Sequence, residues 1–191
     1  GKGSIEITDS DGKLIKADKV KYEKSKKLIL AEGSVEFFDA EGNILKTNKI
    51  TYDKIKNLIV TYNNSEVILK EGYKIKAKKI LYNNAEKIIS SSDNSVLTDL
   101  DGNLVSVDMF QYHLESNLFS SIGNIKIVDT NKNKYFFKEM HIDTKKKEMV
   151  GSDVSVVLDQ DSFGVKKEND PRFVANDIII AENKIKLSKD F

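Results

Sequence analysis

A twelve-residue pattern recurs in this chain of 191 residues at intervals of thirty. The segment DGKLIKADKVKY, residues 11–22, returns as EGNILKTNKITY at residues 41–52. Glycine follows an acidic residue at four positions thirty apart, and tyrosine comes ten residues after each: Gly12, Gly42, Gly72 and Gly102, then Tyr22, Tyr52, Tyr82 and Tyr112. Such a period is typical of an array in which each unit stacks on the next.

The repeats extend over nearly the whole chain and predict a single domain at residues 1–191. Units begin near residues 11, 41, 71, 101 and 131, and the fifth has Ile142 in the tyrosine position. The phase then slips by eight residues and resumes in FVANDIII. We therefore expect a loop insertion at about 161–171, which contains the one proline, Pro171.

The apolar residues inside each unit alternate with a period of two, broken once by a step of three. Ile15 and Ala17 are followed by Val20 and Tyr22. Period two is the signature of a strand, and one extra residue moves the following side chains to the other face. A bulge or sharp bend at the step of three would keep both halves facing inward. The same break occurs around Gly33, where a glycine suits unusual backbone angles.

Each unit is therefore predicted to be two long bent strands joined by polar turns. About eleven such strands, stacked at about 4.8 Å, would form an elongated, bent antiparallel sheet roughly 50 Å long. The predicted fold class is all-β. A helical alternative for residues 16–31 is rejected, because it would place Lys21, Lys24 and Lys27 among its core positions.

The composition excludes several function classes. Lys and Arg number 31 against 30 Asp and Glu, so no net field attracts nucleic acid. Cysteine is absent, which excludes disulfides and thiolate metal sites. No catalytic motif occurs, and His113 and His141 fall on the outer strand face, so we expect no enzyme, cofactor or metal. No apolar run approaches a membrane helix, and an export signal is missing from the start, GKGSIEITDS.

The segment LIKADKVKYEKSKKLILAEGSVEF and its echoes resemble the ADKVxYD…xxxAxGNVxx repeat of the OstA-like/LptA superfamily of lipopolysaccharide-transport proteins. The resemblance extends from Ser4 to about Leu187. The divergent end FKEMHIDTKKKEMVGSDVSVVLDQ and the insertion DSFGVKKENDPRFVAND favour the N-terminal periplasmic domain of the outer-membrane lipopolysaccharide-assembly protein, LptD. The sequence lacks the barrel and the disulfide cysteines of that branch.

The resemblance implies transport of lipopolysaccharide to the outer membrane by a periplasmic domain that faces that membrane. It also implies a bent sheet of the β-jellyroll or β-taco type, with the acyl chains in an apolar groove. Lipid would arrive from a periplasmic bridge protein of the same fold, paired through end strands. A longer source chain would add an outer-membrane barrel and its lipoprotein plug as partners. The groove candidates are the inward residues Ile15, Ala17, Val20, Tyr22, Ile50, Tyr52, Ile80, Tyr82, Val105, Val107, Phe110, Tyr112, Phe137, Met140 and Ile142.

A structural protein is the alternative. The same inward residues suit the dry core of a β-solenoid or adhesin-like spacer that binds protein without lipid cargo. At any single position, a core role is more common than lipid contact. The bends and paired halves favour a groove, because solenoid cores tend to have flat strands.

Overall fold

The structure, a computed structural model, describes residues 2–159, 172–181 and 184–188. These residues form seventeen β-strands and no helix, which confirms the predicted all-β class. Within them no helix is long and apolar enough to cross a membrane. The strands are β1 (Lys2–Thr8), β2 (Leu14–Glu23), β3 (Leu28–Phe38), β4 (Ile44–Asp53), β5 (Leu58–Thr61), β6 (Ser65–Ile68), β7 (Lys74–Ala77), β8 (Leu81–Asn83), β9 (Ile88–Ser91), β10 (Ser95–Thr98), β11 (Leu104–Val107), β12 (Phe110–His113), β13 (Leu118–Val128), β14 (Lys134–Asp143), β15 (Glu148–Val157), β16 (Arg172–Ala181) and β17 (Lys184–Ser188).

The chain divides into two compact units, Gly1–Ser95 and Val96–Phe191. In the first unit β1 to β4 pair in chain order, and β4 then pairs with both β5 and β6. In the second unit β11 and β12 both pair with β13, and β13 to β17 follow in chain order. All these pairings are antiparallel. The expectation of one domain stays a prediction, and the loop expected at about 161–171 lies outside the described residues.

The strands bend where the sequence breaks its alternation. The β2–β3 register shifts between Lys16 and Lys19, and the β3–β4 register shifts between Glu32 and Val35. Gly33 has a φ of +77°, a left-handed conformation that glycine adopts without strain. In the middle repeats the bend interrupts the strand completely, as between β5 and β6. The bends are therefore as predicted. Four such interruptions account for most of the difference between the expected eleven or so strands and the seventeen described.

Polar turns link each repeat to the next. In the first unit the Asp39 carboxylate accepts hydrogen bonds from the Asn43 backbone N–H at 2.7 Å and from its Nδ2 at 2.6 Å. The Asn43 side-chain oxygen then accepts from the backbone N–H of Lys70 at 3.0 Å, one repeat further on. In the second unit Asn103 and Asn133 accept in the same way from the backbones of Thr130 and Asp159. These asparagines hold successive turns in register.

The outer face of the first unit carries alternating charges across neighbouring strands. Cross-strand pairing places these residues in one row, which we call the charge ladder: Glu6, Lys16, Glu36, Lys46, Glu66 and Lys76. Lys16 lies 2.7 Å from Glu6, and Lys46 lies 2.9 Å from Glu36. The hydrogen bonds to these glutamates raise the pKa of both lysines. Each charge on the ladder thus has an opposite neighbour, which favours the observed register.

A glycine in the second unit gives a test of interior packing. A Cβ at Gly151 would overlap the ring of Phe137, which is buried in that interior. We expect Gly151→Ala to lower the free energy of unfolding by about 1–3 kcal/mol, measured by urea denaturation, because the ring must leave its position.

The matched experiment repeats the substitution in a Phe137→Leu background. The smaller side chain leaves room for the methyl group, so Gly151→Ala should then cost at least about 0.5 kcal/mol less. An equal cost in the two backgrounds would show that the ring is not the obstacle.

Candidate functional site

The predicted groove residues fall into two groups, eight in the first unit and seven in the second. All are buried except Val20, which is half-buried, and Tyr22, which is 51% exposed. Burial places the others on the inner faces of the bent strands, where the alternation predicts them. Contact with a lipid is not tested by the structure and stays a prediction for all fifteen.

Tyr22 differs from the expectation because its strand is an edge there. Its register partner is the buried Ile29, so the two side chains share the inner face. However, β1 pairs with β2 no further than the Lys2–Lys19 pair. Within the described residues, the Val20–Glu23 part of β2 therefore has a strand neighbour on one side alone, which leaves about half of the Tyr22 side chain exposed.

The inner faces of each unit are closed by contact between their own side chains. In the first unit Phe37 and Tyr82 meet edge to face, with ring centroids 5.4 Å apart. In the second unit Phe110 and Phe119 stack at 5.4 Å. Ile50, which the sequence assigns to the groove, has no exposed surface. In this state the inner residues form a packed core along most of their length.

One section of the first unit is not filled. A cavity of about 280 Å³ lies between the β1–β2 turn and the end of β4. Its apolar lining comes from inner-face side chains, and its polar lining from the turn and from Lys54: Ile7, Ile15, Ile29, Phe37 and Tyr52, then Thr8, Asp9, Ser10, Lys13 and Lys54. Its volume is close to the lower end of the range of about 300–1,000 Å³ found for small-ligand sites.

The equivalent section one repeat later is closed by polar contacts. The Tyr82 hydroxyl donates a hydrogen bond to the Asp39 carboxylate, and Lys87 lies 2.7 Å from Glu41. We call these two contacts the latch. Asp9 and Tyr52 occupy the positions thirty residues before Asp39 and Tyr82.

The first pair behaves differently from the latched pair. The Tyr52 hydroxyl donates to Asn57 Oδ1 at 2.9 Å, and both Tyr52 and Asp9 line the cavity. The repeat therefore places the same two residue types at an open section and at a closed one. The two sections differ in the hydrogen-bond acceptor of the tyrosine hydroxyl, which is Asn57 for Tyr52 and Asp39 for Tyr82.

The electrostatics of both sections follow from burial. Burial, and then the Asp39 carboxylate, raise the pKa of Tyr82 far above its usual range. Burial also raises the pKa of Tyr52, with smaller contributions from the carboxylates of Asp9 and Asp11. Both phenols stay neutral at physiological pH and act as hydrogen-bond donors.

Hydroxyl side chains at the inner side of the bend are a feature that the sequence analysis missed. Ser65 Oγ lies 2.7 Å from Thr61 Oγ1 and 3.0 Å from Thr47 Oγ1, and all three side chains are buried. Thr61 Oγ1 also accepts from the backbone N–H of Ile80. Small polar residues at inward positions beside the step of three were the available signal. They line the bend with satisfied polar groups, a polar section within the expected apolar groove.

A second, larger concavity of about 900 Å³ runs along these bends on the first unit. Its lining includes charge-ladder residues such as Lys46 and Glu66, together with Asn48 and Asn64. Ala17, Val35 and Ala77 add an apolar part to this lining, so the concavity has both polar and apolar walls.

Neither His113 nor His141 belongs to a cluster of possible metal ligands in the part of the chain that the structure describes. His141 contacts Ser120 Oγ at 2.9 Å through Nδ1 and Glu139 Oε1 at 3.0 Å through Nε2. Among the residues that the structure describes, no group of three His, Cys, Asp or Glu side chains could hold a metal ion.

No protein-family model and no curated protein sequence matches the chain. Two solved structures give distant likenesses. LptH, the LptA-homologous periplasmic component of the lipopolysaccharide transport device of Pseudomonas aeruginosa, is 13% identical, with a TM-score of 0.30; 87% of this chain and 98% of that chain are covered. The TCP10 domain of CPAP from Danio rerio, in complex with a STIL peptide, is 7% identical, with a TM-score of 0.16. The match covers 91% of this chain and 99% of that chain. At these values neither likeness carries an argument about this chain, and the all-β class rests on its own strands.

The latch predicts a specific stability effect. Tyr82→Phe removes a donor to a buried carboxylate, so we expect it to lower the free energy of unfolding by about 1.5–3 kcal/mol. Tyr62→Phe is the matched control, because that exposed hydroxyl reaches Thr51 Oγ1 at 3.3 Å and should be worth under about 0.5 kcal/mol. Urea denaturation of both variants measures the difference. Equal losses would mean that the Tyr82–Asp39 contact contributes nothing particular.

A second tyrosine predicts a pH dependence. Burial, and then the Asp129 carboxylate 3.1 Å from its hydroxyl, raise the pKa of Tyr135 to about 12. The unfolded phenol has a pKa of about 10, so the stabilisation is complete below pH about 10 and is lost as the pH rises to about 12. The free energy of unfolding should therefore fall more steeply over this range in the wild type than in Tyr135→Phe. Parallel pH profiles for the two proteins would contradict this assignment.

Proposed function

We propose that this chain is a component of lipopolysaccharide transport whose inner strand faces receive the acyl chains of the cargo. The thirty-residue repeat with its ADKVxYD-like segments supports the choice of cargo. The structural observation that carries the proposal is the partly open interior of the first unit, where a cavity adjoins an inner face that ends in the exposed Tyr22.

The chemistry of this cavity suits an amphipathic lipid. Its inner wall is built from side chains such as Ile15, Ile29 and Phe37, which favour hydrocarbon. Its other wall carries Asp9 and Lys13, which can contact the sugars or phosphates of a head group. The lipid would bind with the end of an acyl chain among the apolar side chains and its head group at the polar wall.

Further loading requires the packed inner faces to separate. Each buried apolar side chain contributes about 1.5–3 kcal/mol to the closed state. An acyl chain that packs where one inner face had packed would bury most of the same apolar surface again. The free energies of the closed and the lipid-bound states would therefore be similar. The cavity gives such an exchange a starting point, because no contact has to be broken there first.

The end strands are the proposed sites of transfer between like domains. A further candidate is the Val20–Glu23 part of β2, which β1 does not cover within the described residues and which therefore has free backbone groups on one side, as such pairing requires. We assign the chain to the periplasm, with a bridge protein of the same fold as partner. The outer-membrane assembly protein and its lipoprotein plug would then lie downstream.

A structural spacer is the second candidate. It is favoured by the full burial of inner residues such as Ile50, Ile80 and Phe110, which need no cargo to complete their packing. A spacer of this kind would bind protein through its end strands and bind no lipid.

Photo-crosslinking distinguishes the two functions. A benzoylphenylalanine at Tyr22 lies on the inner face and, because this position is exposed, leaves the core intact; Lys21 is its neighbour on the opposite face. We expect purified lipopolysaccharide to crosslink at Tyr22 and at the cavity residue Tyr52, with little product at Lys21. Equal labelling at Tyr22 and Lys21, or none at either inner position, would favour the spacer.

A further inference from the structure

The outer face of the second unit carries a patch that differs in kind from the charge ladder of the first. The patch consists of two neighbouring rows of outward residues across β11, β13, β14, β15 and β16. Cross-strand pairing defines the rows as Leu104, Val128, Lys134, Val157 and Arg172, and as Ser106, Lys126, Phe136, Ser155 and Val174. We call these ten residues the outer patch.

Half of the outer patch is apolar and accessible. Val174 is 69% exposed, Leu104 44% and Phe136 38%, while Val128 and Val157 are half-buried. Single exposed apolar residues are common on proteins, but five on adjoining strands form a continuous surface. Their positions on a sheet make this surface broad rather than grooved.

The charged part of the outer patch has one sign. It contains Lys126, Lys134 and Arg172 and no carboxylate. None of the three forms an ion pair with another residue in the described parts of the chain.

Three of the acidic side chains beside the rows have partners of their own. Asp108 accepts from Asn124 Nδ2 at 2.8 Å, and Asp129 accepts from Asn133 Nδ2 at 2.8 Å. Asp153 lies 4.0 Å from Lys138. The three cations of the outer patch are therefore left to face an external partner.

Comparison with the first unit shows how the repeat has changed. Lys126 stands ninety residues after Glu36, and Phe136 stands ninety residues after Lys46. On the charge ladder Glu36 and Lys46 form a 2.9 Å ion pair. In the second unit a lysine therefore replaces the glutamate of this pair, and a phenylalanine replaces its lysine. The result is a cation beside an aromatic ring instead of an ion pair.

We propose that the outer patch docks the second unit onto the surface of an anionic lipid bilayer. The apolar side chains enter the boundary between head groups and acyl chains, and the three cations contact lipid phosphates. Long lysine side chains suit this arrangement, because their stems cover apolar surface while their ammonium groups stay in water. The proposal concerns the outer face and does not depend on lipid in the interior.

Charge complementarity favours this occupant over a second copy of the chain. Two outer patches placed face to face would bring three cations against three cations with no carboxylate between them. An anionic bilayer supplies both the negative charge and the apolar layer that the ten residues lack.

Vesicle cosedimentation with the full chain tests the proposal. Wild type should bind vesicles of equal parts phosphatidylglycerol and phosphatidylcholine and bind pure phosphatidylcholine far more weakly. Each cation near an anionic surface contributes about five-fold, so Lys126→Gln, Lys134→Gln and Arg172→Gln combined should weaken binding about 100-fold. The matched control, Lys16→Gln, Lys46→Gln and Lys76→Gln, removes the same net charge from the charge ladder and should leave binding close to wild type.

A second variant tests the apolar part. Phe136→Ser with Val174→Ser alters exposed positions, so thermal unfolding by circular dichroism should stay close to wild type while vesicle binding falls. Equal binding to anionic and neutral vesicles, or an equal loss in the control, would overturn the proposal. Vesicle binding that is unchanged in both patch variants would also overturn it. If those variants then lost self-association in sedimentation analysis, the patch would be an interface between copies.

Discussion

The bend in each strand is the constraint on which the other features depend. A strand that alternates strictly presents its apolar residues to one side of a flat sheet. Here one extra residue shifts the alternation, as in the β2–β3 register change between Lys16 and Lys19. Both Ala17 and Ile50 can then lie in the interior although they stand on opposite sides of their bends. The bend in β3 requires a left-handed backbone conformation at Gly33, which glycine adopts without strain.

The bend also brings together turns that are far apart in sequence. Tyr82 reaches Asp39 across 43 residues, and that contact closes one section of the first unit. One repeat earlier, Asp9 and Tyr52 have the same residue types but border a cavity. A regular repeat therefore contains local exceptions, and the proposed site lies at one of them. The interior and the outer patch are separate surfaces of different chemistry. Under the two proposals, the interior would receive acyl chains and the outer patch would contact a bilayer.

Much of the fold follows from local pattern. The all-β class, the polar turns and the bends were predicted from the sequence, and thirteen of the fifteen proposed groove residues are buried. Tyr22 is the exception in exposure, because among the described residues the pairing of β1 with β2 reaches no further than Lys19. The hydroxyl network of Thr47, Thr61 and Ser65 was missed, because those positions have inward periodicity but no apolar signal. The location of the cavity was not predictable either, since it depends on which partner the Tyr52 hydroxyl selects.

The sequence by itself determined which side chains face inward, because alternation and its one break are properties of consecutive residues. It also determined where the chain turns, since glycine and aspartate act on their own backbone. Tertiary structure alone decided which inner positions are covered, which turns meet, and which outer charges have partners. These outcomes depend on the strand that lies alongside, often thirty or more residues away. Glu36 and Lys126 occupy equivalent positions in their repeats and show the difference. Glu36 lies across from Lys46 and belongs to the charge ladder, whereas Lys126 lies across from Phe136 and faces solvent.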